Sequence, residues 1–205
     1  VITLKTKPHV DLTGVGTRAG DYKLDELQKA CGDDAMLKNS LVEVVKRSSG
    51  RRAWIVFIAG IENCNKCAQL LREMSVSAYA VNSSFSAEEN ATKIEAFRKG
   101  EIRCLVSADQ LTTGFDVPQV DLIAMLRPTK SPGLYVQMIG RGLRPAEGKK
   151  DCLVLDFARN IERLGPINNP FIRARTEKKA SSKQQAPVRS CPGCQAYIPV
   201  QATVC

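Results

Sequence analysis

The 205-residue sequence predicts an α/β fold: a mainly parallel sheet flanked by helices, with an irregular C-terminal tail. Short apolar runs recur along the chain, each closed by a turn residue, as strands buried on both faces require. Between them lie segments whose apolar positions repeat at helical spacing. Strands alternating with helices at this interval indicate parallel strands joined by helical crossovers.

Each element has its own signal. Residues 1–20 are extended and turn-rich, punctuated by Pro8, Gly14, Gly16 and Gly20. Asp21 is placed to cap a helix running to about residue 36, with Leu24, Leu27 and Ala30 on one face; a second helix carries Leu41, Val42, Val44 and Val45. Residues 54–59 form the first uninterrupted apolar run, ended by Gly60, and a helix follows over about 62–74. Residues 78–81 are the next strand, and Ser86 with Glu89 forms a capping box for a helix that Gly100 stops. Three further strands are read at 102–107, 120–126 and 152–157, with a Ser131-capped helix carrying Leu134, Val136 and Ile139 before the last. Pro166, Pro170, Pro187 and a Lys/Gln/Ser stretch then break the pattern. The expected division is a connecting segment over 1–20, an α/β domain over 21–160, a basic linker over 161–190 and a small cysteine-bearing unit over 191–205.

Composition narrows the chemistry. With 43% hydrophobic and 25% charged residues the chain is neither disordered nor membrane-spanning, since no apolar run approaches the length of a span. The start at Val1, without Met or a secretory layout, is read as that of a fragment or processed product. His9 is the single histidine, which argues against a Ser-His-Asp hydrolase or a His-rich metal site. Cys31, Cys64, Cys67, Cys104 and Cys152 are scattered through apolar segments as small hydrophobes, so a reducing, cytoplasmic setting is expected. The net charge of +9 is uneven: residues 1–158 hold 22 Lys and Arg against 19 Asp and Glu, whereas 159–189 hold 8 against 2. That basic tail points to a polyanionic partner.

The strongest motif is Gln137-Met138-Ile139-Gly140-Arg141-Gly142-Leu143-Arg144-Pro145. Arg141 and Arg144 stand three apart on one helix face, and two fixed guanidinium forks beside glycines suit a phosphate group. Upstream, Leu111-Thr112-Thr113-Gly114-Phe115-Asp116-Val117-Pro118 follows an apolar strand, where loops beyond a carboxyl sheet edge bind ligands. Gly114 permits close approach and Asp116 is an acceptor for sugar hydroxyls.

In this order and spacing the two segments resemble the C-terminal, second RecA-like lobe of superfamily-two helicases of the DEAD/DEAH type. Thr113–Pro118 is similar to helicase motif V, and Gln137–Arg144 fits the Gln-x-x-Gly-Arg-x-x-Arg form of motif VI. Residues 54–60 resemble the motif IV region, and residues 82–89 the segment after the next strand. The resemblance spans about residues 50–160. It implies that Arg144 and Arg141 are arginine fingers toward the γ-phosphate of ATP and that Gln137 lies near the attacking water. It implies further that Gly114, Asp116 and Gly140 line the nucleotide side. Thr112 and Thr113, with Gly60, Ser83 and Ser107, are implied contacts to DNA or RNA. Two positions depart from the family form: Ala108 stands where relatives carry Thr before Asp, and Thr113 where they carry Arg before Gly.

A complete motor also needs a Gly-x-x-x-x-Gly-Lys-Ser/Thr loop, which the sequence lacks; Gly148-Lys149-Lys150 has neither the upstream glycine nor the hydroxyl. Asp25-Glu26 lies within an amphipathic helix, away from a strand end where an acid pair holds magnesium. ATP and magnesium are therefore expected to be held mainly by an N-terminal lobe outside this sequence, and the chain alone is expected to be inactive.

Cys191-Pro192-Gly193-Cys194, with Cys205 beyond, has the spacing of a zinc knuckle and resembles a truncated C-terminal zinc ribbon. Cys64 and Cys67 share the same gap and are read as core residues, with zinc sharing as the lesser alternative. Two other function classes stay open: a nucleic-acid-binding or regulatory module on a degenerate lobe and, last, a transferase or oxidoreductase, for which no first-strand glycine fingerprint is present.

Overall fold

The computed structural model describes residues 2–108, 115–168, 170 and 188–200. The N-terminal half contains β1 (Ile2–Lys5), β2 (Thr17–Arg18), β3 (Asp21–Tyr22), α1 (Leu24–Cys31), α2 (Asp34–Arg47), β4 (Trp54–Phe57), α3 (Ile61–Glu73) and β5 (Ala78–Val81). There follow α4 (Ala87–Arg98), β6 (Cys104–Ser107), β7 (Leu122–Met125), α5 (Pro132–Leu143), β8 (Leu153–Asp156), α6 (Asn160–Leu164), β9 (Val188–Ser190) and β10 (Tyr197–Pro199). Six strands form one sheet in the order β1-β8-β7-β4-β6-β5, every pair parallel.

The strand runs lack polar alternation because both faces are covered. Trp54, Val56 and Ile58 enter the apolar layer shared with α1, α2 and α3, while Ile55 and Phe57 enter the layer shared with α4, α5 and α6. Cys104, Val106, Leu122 and Ala124 repeat the first assignment, and Leu105, Ile123 and Met125 the second. Each fully buried Leu or Ile in these layers contributes about 1.5–3 kcal/mol relative to exposure.

Two readings of the N-terminal region are corrected. Ile2-Thr3-Leu4-Lys5 is an edge strand of the six-stranded sheet, paired there with β8. An edge strand needs no continuous apolar run, and Ile2 remains 42% exposed. The two helices expected here are present, but they meet at residues 32–33 rather than near 36: Gly32 ends α1, and the Asp33 carboxylate accepts from the Met36 amide to open α2. Asp21 caps neither. It lies in the β2–β3 hairpin, where its carboxylate accepts from the Thr129 hydroxyl (2.6 Å) and the Lys130 amide (2.7 Å). The caps read at Ser86–Glu89 and Ser131 are both present.

The β9–β10 hairpin lies against β1 through a bridge between Leu4 and Ala196, and the Tyr197 hydroxyl donates to Glu162 at 3.1 Å. Among the described residues no helix is long and apolar enough to cross a membrane.

Candidate functional site

Helix α5 begins with the Ser131 hydroxyl accepting from the Leu134 amide and Pro132 in the first turn. Tyr135, Met138 and Ile139 bury its inner face. Its last turn is pressed onto the sheet at Gly142: a Cβ there would lie 2.3 Å from the Cys152 sulfur and 2.9 Å from Ile123. Gly140 has no atom within 4 Å of such a position, so its side faces open space. Gln137 is exposed one turn ahead of Arg141.

The two arginines converge on one backbone group. Arg141 donates to the Phe115 carbonyl at 2.8 Å, and Arg144 donates to the same oxygen at 3.4 Å while pairing with the Asp116 carboxylate. The Arg141 guanidinium also lies over the Phe115 ring, 5.7 Å from its centroid. Phe115 is held by stacking on Phe97 with centroids 6.2 Å apart. Burial, then the neighbouring Arg144 charge, lowers the pKa of Arg141, and Asp116 opposes them; a guanidinium still keeps its charge at physiological pH. Two cations against one carboxylate leave this surface electropositive, with two forks able to exchange a carbonyl for anionic oxygens.

For Phe115–Pro118 this cluster corrects the expectation that the loop sits beyond the carboxyl ends of the strands. Parallel strands force the connection from β6 to cross back before β7 starts. The loop leaves the carboxyl edge at Ala108, but Phe115–Pro118 meets the far end of α5, beside Cys152, which immediately precedes β8. Twelve residues of α5 span about 18 Å, enough to make the same return. The carboxyl edge instead carries Gly60 after β4, Ser107 at the end of β6 and Ser83 after β5, on three adjacent strands. Gly60 occupies the N-cap of α3 with φ +94, and a Cβ there would lie 2.8 Å from Gln28. Ser83 is exposed, whereas Ser107 is buried as the last residue of β6. Thr112, Thr113 and Gly114 lie outside the described residues, as does Cys205.

Sequence reasoning missed two supports. The Phe115 carbonyl is the meeting point of the arginines, and a backbone acceptor leaves no trace in residue type. Arg127, at the end of β7, donates to the Ala108 carbonyl at 2.6 Å, and its own carbonyl accepts from Asn160 at 2.9 Å. It thereby secures the root of the loop that follows Ala108; a lone charge after an apolar strand was its only signal.

Cys64 and Cys67 are buried core residues of α3, as the packing reading expected. Cys191 and Cys194 sit at the tip of the β9–β10 hairpin. There the Cys191 amide donates to Ala196 (2.8 Å) and its carbonyl accepts from the Gln195 amide (2.9 Å). Among the described residues no group of three or more His, Cys, Asp or Glu is placed to hold a metal.

The family described as helicase conserved C-terminal domain matches residues 36–146, more than half of the chain. The chain belongs to that family. Among its relatives, irc3 of Schizosaccharomyces pombe, which carries the name of a mitochondrial ATP-dependent helicase, is 36% identical over 149 residues, 71% of this chain and 25% of its own length. The chain spans less than half the length of the first curated relatives it matches. The Escherichia coli DEAD-box protein SrmB, solved with regulator of ribonuclease activity A, is similar in structure with a TM-score of 0.54 and 21% identity. That similarity covers 69% of this chain and 92% of the other. Saccharomyces cerevisiae Dbp5, solved with RNA and ADP BeF3, gives a TM-score of 0.52 at 20% identity, over 60% of this chain and 32% of the other. The fold of the helicase C-terminal domain is thus the RecA-like lobe that the motifs resembled.

Proposed function

We propose that this helicase C-terminal domain is the second motor lobe of an ATP-dependent nucleic-acid helicase or translocase, completing a nucleotide site whose phosphate loop and magnesium belong to a partner lobe. The observation that carries the reading is the convergence of Arg141 and Arg144 on Phe115 and Asp116. On cleft closure the γ-phosphate oxygens replace the Phe115 carbonyl as acceptors for Arg141 and Arg144. Asp116, released from Arg144, accepts from the ribose hydroxyls. Gln137, on the exposed side of the same helix, orients the attacking water, and Gly140 and Gly114 let the nucleotide approach. The guanidinium forks stabilise charge on the transferring phosphoryl group, an effect worth about 10³–10⁵ in rate for such fingers.

Nucleic acid, DNA or RNA, lies along the carboxyl edge, met by Thr112, Thr113, Gly60 and Ser83, with Ser107 beneath. The segment between Ala108 and Phe115 then joins strand contact to nucleotide contact. The excess of Lys and Arg over 159–189 adds a sequence-independent tether to the phosphate backbone. The name of irc3, an ATP-dependent helicase, and the solved complex of Dbp5 with RNA and ADP BeF3 support this class of activity and partner.

Zinc at Cys191, Cys194 and Cys205 belongs to the same reading. The hairpin tip fits one half of a tetrahedral site, because Pro192 and Gly193 let two thiolates share one turn. About one equivalent of zinc in the purified protein, lost in Cys194→Ser, is the expected result; a zinc-free protein contradicts it.

The test of the arginine assignment is steady-state ATP turnover by a two-lobe protein containing this chain. Arg144→Ala and Arg141→Ala are each expected to lower kcat by at least about 10³-fold, with the fold retained. Wild-type turnover in both variants would falsify the assignment.

A further inference from the structure

The Gly148-Lys149-Lys150 triplet cannot serve as a phosphate loop, yet its central lysine is tightly engaged. After α5 the chain reverses: the Lys149 amide donates to the Ala146 carbonyl at 3.2 Å, with Gly148 at φ +72 inside the turn. This returns the lysine side chain to the helix end. Its Nζ donates to three backbone carbonyls, those of Arg144 (2.7 Å), Gly142 (2.8 Å) and Pro118 (2.9 Å).

An ammonium has three protons, and all three are used. Gly142 and Arg144 lie at the C-terminal end of α5, where carbonyls lack helical partners and the helix dipole favours a cation. Pro118 belongs to the other segment, two residues after Asp116. A planar guanidinium cannot meet three acceptors gathered around one point, so arginine is no equivalent here.

We infer that Lys149 is the positioning residue of the arginine pair: by bonding at once to Pro118, Gly142 and Arg144, it fixes the spacing between the segment bearing Phe115 and Asp116 and the helix end bearing Arg141 and Arg144. The inference rests on the reading of that pair as phosphate ligands. Lys149 itself touches no reacting atom. It acts by holding both arginines where one anionic group meets them together, and misplacement by about 1 Å costs up to about 100-fold in rate.

The experiment compares Lys149→Met, Lys149→Arg, Arg144→Ala and the Lys149→Met/Arg144→Ala double variant in the two-lobe protein, measuring kcat and KM for ATP at saturating nucleic acid. Lys149→Met keeps the apolar stem and removes the donors. It is expected to lower kcat by about 10- to 100-fold with KM little changed, and Lys149→Arg is expected not to restore kcat. In the Arg144→Ala background Lys149→Met is expected to add little further loss, because residues acting as a unit are not additive.

Wild-type kcat in Lys149→Met overturns the inference. So does a loss that multiplies in full on the Arg144→Ala background, since that is what general destabilisation produces. Denaturation midpoints recorded on the same samples separate the cases: a K149M protein that unfolds under assay conditions also overturns the inference, by showing a role in the fold. If Arg144→Ala alone turns over ATP at the wild-type rate, the arginine reading itself fails and takes the role of Lys149 with it.

Discussion

Gly140 and Gly142 differ by two positions and by what surrounds them. A methyl group at Gly142 would lie 2.3 Å from the Cys152 sulfur, inside the layer between α5 and the sheet, whereas at Gly140 it meets nothing within 4 Å. Gly142→Ala is therefore expected to destabilise the chain by about 1–3 kcal/mol through overpacking. Gly140→Ala is expected to raise stability by up to about 1 kcal/mol, because alanine is the better helix former at an unhindered interior position. Urea denaturation midpoints moving in opposite directions verify the pair, and a common direction contradicts it. The sequence presents the two glycines as equivalent parts of one motif; only the depth of α5 against Cys152 and Ile123 separates them.

At the scale of the element, α6 follows β8 through a buried carboxylate. Asp156 accepts from the Ala158 amide at 3.1 Å and the Ile161 amide at 2.8 Å. Burial pushes its pKa up to about 6, with the hydrogen bonds from Ile161, Asn160 and Ala158 opposing. A carboxyl raised in the folded state binds its proton more tightly than the unfolded chain does. Its contribution to stability is thus full below the unfolded pKa near 3.8 and is lost as pH rises through about 6. The stability of the wild type relative to Asp156→Asn is expected to fall between pH 4 and pH 6; a difference constant over that window would refute the proton linkage. Elements were legible in proportion to their burial. The strands β4, β6, β7 and β8 announce themselves because every residue in them is buried, and the edge strand β5 because all but Tyr79 are, while Ser86–Glu89 and Ser131 announce their helices through local hydrogen bonds. β1 was hidden because an edge strand needs no such run, and Asp21 misled because its partners, Thr129 and Lys130, lie more than a hundred residues away.

Across the whole molecule, residues far apart in sequence are divided between two ends of one parallel sheet. Gly60, Ser83 and the root of the loop at Ala108 lie at the carboxyl ends of the strands, and Arg141, Arg144 and Asp116 lie near the amino ends of β7 and β8. The motifs name the residues proposed for the site. They did not reveal this separation, because the distance between Ala108 at one end of the sheet and Phe115–Pro118 at the other follows from strand direction rather than from residue type. The uneven charge was legible from the start, since net charge per segment needs no fold: the lobe is nearly balanced and the tail carries the excess. The central claim is that this lobe supplies the arginines to a nucleotide held elsewhere. The most direct measurement is ATP turnover, with nucleic acid present, by the chain alone and by the chain joined to a nucleotide-binding lobe. The account predicts no turnover above background for the chain alone and stimulated turnover for the joined protein, whereas sustained hydrolysis by the chain alone would contradict it.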